Sequence, residues 1–112
     1  MKKLIPIALS LSSPSMANET CKLVYNTAEV VMQQRQAGTS MPDFFDRIDK
    51  VYHDDKPMAK TVKGIAKLAY EERVQFSDSM KKSVVDEFAN TYYVVCLDEQ
   101  KRKEKPQNQP DE

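Results

Sequence analysis

Tryptophan is absent from this sequence, histidine occurs once, and glycine and cysteine occur twice each. Each shortage removes a class of chemistry. A glycosidase needs two carboxylates in a sugar-binding cleft rich in aromatic rings. Without tryptophan, the paired acids Asp54-Asp55, Glu71-Glu72 and Asp86-Glu87 read as polar helix faces and caps. Two glycines leave no loop of the kind that cradles phosphate. A zinc site takes three or four well-placed ligands, which His53 and a bridged cysteine pair do not supply. His53 lies in the charged stretch His53-Asp54-Asp55-Lys56-Pro57 and reads as a solvated loop residue, with no nucleophile elbow elsewhere to serve. The sequence therefore predicts no catalytic residue, no metal, no cofactor and no enzyme.

An excess of either charge is also lacking: seventeen basic residues balance seventeen acidic ones. The N-terminus reads MKKLIPIALSLSSPSMA, in which Lys2 and Lys3 precede the apolar run Leu4 to Leu11 and a small-x-small site at Ser15-Met16-Ala17. That order predicts a secretory signal peptide, residues 1–17, cut after Ala17. The uncharged run is too short and too serine-rich for a membrane span, which takes about 20 mostly apolar residues. Cys21 lies too far past the cut to be a lipoprotein cysteine. The expected location is the bacterial periplasm or the cell exterior. Losing two lysines leaves a net charge of −2, which argues against general nucleic-acid binding.

The mature chain would hold 95 residues, enough for one small domain without a deep core. In an oxidising compartment a Cys21–Cys96 disulfide is the simplest reading; free thiols or an intermolecular bridge are the alternatives. Such a bridge closes a loop of about 75 residues, which the chain-entropy model values at roughly 4 to 5 kcal/mol. Cys21 and Cys96 do not form a Cys-x-x-Cys pair, which argues against thioredoxin-type exchange.

Apolar residues recur in steps of three and four, the helix period. Cys21, Val24, Tyr25, Ala28, Val31 and Met32 mark a first helix, with Asn18 or Thr20 as its cap, Arg35 next in the series and Gly38 as its stop. Ser40-Met41-Pro42-Asp43 is a helix start with proline in the first turn, and Met41, Phe44, Phe45, Ile48 and Tyr52 form the stripe behind it. Asp54 or Asp55 caps a third helix whose stripe is Met58, Val62, Ile65, Ala66, Ala69 and Tyr70; Gly64 inside it suggests a close helix crossing. Val74-Gln75-Phe76 reads as an extended connector to Ser77 and Asp78, which cap a last helix carrying Val84, Val85, Phe88, Tyr92, Val95 and Cys96. The run Thr91-Tyr92-Tyr93-Val94-Val95-Cys96 has strand propensity, but a lone strand would have no partner. The fold class expected is all-α: a small four-helix domain, orthogonal or bundle-like, over residues 18–100 and closed by one disulfide. Residues 101–112, KRKEKPQNQPDE, lack apolar side chains apart from proline, and read as a charged disordered tail in which the last helix frays.

The early cysteine, the corner VMQQRQAG followed by Ser40-Met41, the segment IAKLAYEERVQFS and the ending FANTYYVVC together resemble a group of small exported proteins encoded in bacterial and prophage genomes. The shared outline is a cysteine, an RQxGxSM corner, an AYE segment and a closing cysteine, covering about Cys21 to Cys96. The glutamine-rich MQQRQ, the charged insert around Asp49 to Lys63 and the tail depart from it. The resemblance implies a helical, disulfide-closed exported protein and no enzyme.

Residues that could meet a partner are few. Lys56, Lys60, Lys63 and Lys67 step along one face of the third helix, read first as a solvated face and second as a weak contact for an anionic surface. The acids of the second helix, Asp43, Asp46 and Asp49, could pair with that face within one molecule or between two. Arg35 reads as a helix-end residue whose guanidinium caps carbonyls or pairs with Glu71 or Asp78, with ligand contact as the alternative. Tyr93 reads as exposed beside a core-facing Tyr92. The function expected is that of an exported protein-interaction module with a periplasmic or phage partner, possible prophage origin, and inhibition of a cell-wall hydrolase or superinfection exclusion as its specific form. The alternative is an envelope-stress holdase resembling periplasmic acid-stress chaperones.

Overall fold

A computed structural model describes the backbone of residues 4–104 and the side chains of residues 18–103. Four helices follow one another: α1 (Leu4–Gln36), α2 (Met41–Val51), α3 (Lys56–Ala69) and α4 (Asp78–Glu104). Among the described residues there is no strand, so the all-α expectation holds. Cys21 and Cys96 are joined, with their Cα atoms 5.5 Å apart. The bridge joins the middle of α1 to the second half of α4. Gln33 and Gln36 at the end of α1 share a groove with Lys81, Lys82 and Val85 in the first turns of α4, so the two helices run antiparallel.

The core forms where the apolar stripes meet. Ala28, Val31 and Met32 of α1 pack with Phe44 and Ile48 of α2, Ala59, Val62, Ile65, Ala66 and Ala69 of α3, and Val85 and Ala89 of α4. Small residues dominate, which lets short helices approach closely around the single large side chain that is wholly buried in their midst, Met32. Among the described residues, no helix is long and apolar enough to cross a membrane.

Local chemistry sets the helix ends. At the end of α1, Gly38 takes φ +88°, its N–H donates to Arg35 O, and Thr39 N–H donates to Gln34 O. Those two bonds make the Schellman motif, in which only glycine is unstrained. Ser40 then caps α2 by accepting from Asp43 N–H, Asp55 caps α3 by accepting from Met58 N–H, and Pro42 and Pro57 sit in the first turns. Ser77 opens α4, its hydroxyl accepting from Met80 N–H at 3.2 Å. The β-branched run near Cys96 stays helical, and Thr91 donates its hydroxyl to Glu87 O at 2.9 Å, the back-bond that accommodates threonine inside a helix.

Three expectations are corrected. The first helix does not begin at Asn18 or Thr20 but at Leu4, so neither residue caps it. Val95 is 51 % exposed, because the bridge turns Cys96 rather than its neighbour toward α1. The last helix runs on to Glu104, within the stretch over which it was expected to fray; residues 105–112, where the rest of the expected tail falls, lie outside the described residues. Gly64 faces solvent, and a methyl group added there would meet nothing within 4 Å, so it serves no helix crossing.

The two glycines therefore make opposite predictions. Gly64→Ala should stabilise the fold by up to about 1 kcal/mol, since alanine is the better helix former, raising Tm by several degrees in a domain this small. Gly38→Ala should cost about 1 to 2 kcal/mol, the strain of a left-handed alanine. Thermal denaturation of the two variants beside the parent checks both signs.

Candidate functional site

The corner after α1 and the connector after α3 come together through polar side chains. Among the described residues Gln36 is the buried polar one, 3 % exposed. Its Nε2 donates to Arg73 O at 3.0 Å and its Oε1 accepts from Gln75 N–H at 2.8 Å. One side-chain amide thus satisfies the carbonyl and the amide that flank Val74, as a neighbouring strand would. Gln75 folds back to donate its own Nε2 to Arg73 O at 3.2 Å. Among the described residues, no buried side-chain nitrogen or oxygen is left without a partner.

Arg35 holds the same connector one residue earlier. Its Nε donates to Glu72 O at 2.8 Å, and its guanidinium lies 5.1 Å from the centre of the Tyr70 ring. The carbonyl-capping expectation is met; the acid partners Glu71 and Asp78 are not used, because the carbonyl of Glu72 and the ring of Tyr70 take the guanidinium instead. Tyr70 stacks on Phe44 and donates its hydroxyl to Thr39 O at 2.7 Å. Burial raises the Tyr70 pKa, against the lowering influence of Arg35 and Arg47, so the hydroxyl keeps the proton this bond needs. The corner, α3 and the connector are one polar assembly.

That assembly presents an apolar tip. Phe76 is 91 % exposed, and Val74 and Met80 nearby are partly exposed. It is the one phenylalanine of four outside a helix. Neither Gln36 nor Phe76 stood out as a site residue in the sequence. Gln36 could have: it falls four residues after Met32, where the buried series of α1 continues.

The other candidates are scattered. Lys63 is not a free cation of a basic strip, since it pairs with Asp49 at 2.7 Å and lies over the Phe45 ring. Lys56, Lys60 and Lys67 are exposed. The pairing of α2 acids with the lysine face thus occurs within one molecule, at that single residue. Tyr93 is half-buried rather than exposed, because Tyr25 packs edge-on against it at 6.0 Å. His53 is exposed beside Asp54 at 3.2 Å. Among the described residues, no group of three or more His, Cys, Asp and Glu side chains is placed to hold a metal ion.

Two variants separate the parts of the clamp. Gln36→Glu should be tolerated at low pH, where a protonated carboxyl still donates to Arg73 O and accepts from Gln75 N–H. Burial and the Arg73 carbonyl, which only a protonated carboxyl can bond, raise its folded pKa above the ordinary value of about 4.3, against the lowering influence of the Gln75 N–H. Stability is then fully present below that value and lost as pH rises through the folded pKa, reaching a deficit of about 2 to 3 kcal/mol near pH 7. Arg35→Ala should cost about 1 to 2 kcal/mol at either pH, from one hydrogen bond and one cation–π contact. Urea denaturation at pH 4 and pH 7 distinguishes the two responses. No family model, curated protein or solved structure matches this chain, so its function is read from its own residues.

Proposed function

We propose that this chain is an exported protein-binding module that acts by contact and not by catalysis, with Phe76 as its anchor. The observation that carries the reading is a phenylalanine 91 % exposed on a backbone held by Arg35 and Gln36. A large apolar side chain left in water gains nothing for the fold. It gains about 1.5 to 3 kcal/mol when a pocket buries it. Aromatic anchors of this kind dominate binding energy at protein interfaces. Holding the connector before binding removes part of the ordering cost that a loose loop would carry.

The leader-like residues 1–17 and the Cys21–Cys96 bridge support an oxidising, exported setting. The resemblance to small prophage-encoded exported proteins points to a cell-wall hydrolase or the machinery of an incoming phage as the target; this rests on size, compartment and class. An acid-opened holdase has less support. The ion pairs His53–Asp54, Lys63–Asp49, Lys82–Asp86 and Arg102–Glu99 all lie at the surface. Surface pairs contribute about 0 to 1 kcal/mol each, so protonating their carboxylates would do little to open the core.

Phe76→Ser should leave stability within about 0.5 kcal/mol of the parent while abolishing capture of a partner by the immobilised protein from periplasmic extract. The double variant Lys60→Glu/Lys67→Glu should retain capture. Equal retention by Phe76→Ser would remove Phe76 as the anchor. The same pair of proteins, assayed against lysozyme, tests the hydrolase form: inhibition present in the parent and absent in Phe76→Ser supports it.

A further inference from the structure

An apolar trough of about 380 Å³ runs between α1 and α2. Val31, Phe44, Ile48 and Val62 line its depth, and Val30 and Val51, 50 % and 70 % exposed, stand at its edges. The Thr27 hydroxyl is engaged by Leu23 O at 2.8 Å, so its methyl group is what the trough meets. One end is polar: Arg47 Nη1 donates to Gln34 Oε1 at 3.0 Å. Arg47 forms no ion pair among the described residues. The trough therefore asks for an apolar occupant with a negative charge at the Gln34 end.

The chain's own end cannot supply one, since residues 105–112 read KPQNQPDE and carry no apolar side chain except proline. The helix beside the trough can. Glu19, Leu23, Asn26 and Val30 fall at steps of four, three and four along α1, the spacing of a coiled-coil seam. Leu23 is 54 % exposed. One surface thus carries both a trough and a row of side chains able to enter it, which is the requirement for a two-fold contact.

We propose that α1 of a second copy lies antiparallel across this trough, giving a symmetric dimer. With the axis near Asn26, Leu23 of the second copy falls opposite Val30 and enters the trough. The two Asn26 side chains meet at the axis, where a polar pair fixes register. Glu19 of the second copy falls opposite Gln34, within reach of Arg47, and symmetry repeats that ion pair. Arg35 and Gln36 lie on a different side of α1, bound to the connector, so both Phe76 side chains stay exposed. The dimer would offer two anchors to one partner or to neighbouring ones, a source of avidity without any new contact.

Sedimentation equilibrium on the purified protein tests this. The parent should show a concentration-dependent monomer–dimer equilibrium, and Val30→Glu should be monomeric with an unchanged helical circular-dichroism spectrum. Glu19→Arg and Arg47→Glu should each weaken the dimer by about tenfold, and the double variant Glu19→Arg/Arg47→Glu should recover most of that loss. A parent that stays monomeric at concentrations approaching millimolar overturns the proposal. So does a double variant in which the two losses simply add, because the charges would then not face each other. Dissociation by Phe76→Ser with Val30→Glu still dimeric would place the contact at the connector and equally overturn it.

Discussion

A buried amide must have both its ends paired, and the chain meets that requirement at Gln36 in a way that fixes everything around it. The Gln36 side chain joins the last turn of α1 to Arg73 and Gln75, nearly forty residues on. Leaving either of its polar groups unpaired in the interior would cost about 1 to 3 kcal/mol. The connector is therefore drawn against α1 at one register, since a shift by one residue would present groups pointing the wrong way. With the connector set, the end of α3 and the start of α4 are set too. Arg35 and Tyr70 work from the same corner, one through the carbonyl of Glu72 and the other through that of Thr39.

A second tie is covalent. Cys21 is wholly buried and joined to Cys96, so the long α1–α4 pair is pinned by a bond midway along α1, while the Gln36 amide ties the end of α1 to the connector that leads into α4. The two short helices hang on this frame unequally. α3 gives five buried residues to the core, while α2 gives only Phe44 and Ile48. α2 leans on α3 through those residues and through Asp49 and Lys63, and the space it leaves beside α1 is the trough.

Much of the architecture was legible because it rests on local chemistry. Gly38, Ser40 with Pro42, Asp55 with Pro57, and Ser77 act through hydrogen bonds to residues three or four away, and such signals survive in sequence. The cysteine pair was legible from compartment and count. Gln36 was not, because its partners are distant and a glutamine next to Gln33 and Gln34 looks like part of a polar run. Tyr93 misled for the same reason: its exposure depends on Tyr25 from another helix. Gly64 misled differently. A glycine inside a helix is usually explained by a close neighbour, and here there is none.

That absence bears on function. A protein that departs from local preference in its core is solving a packing problem, but Gly64, Phe76 and Val51 all depart from it on the surface. Phe76 and Val51 place apolar area in water, where burial by a partner is the only source of gain, and Gly64 forgoes about 1 kcal/mol of helix stability that no neighbour requires. The largest of these departures, Phe76, follows directly on the connector that Gln36 holds. Flexibility would let an exposed phenylalanine fold back onto the chain; the clamp prevents it. Hydrogen-bonded support beside an unburied aromatic has no use to the isolated molecule, and that is the physical argument behind the proposal that the fold acts as a platform for a partner.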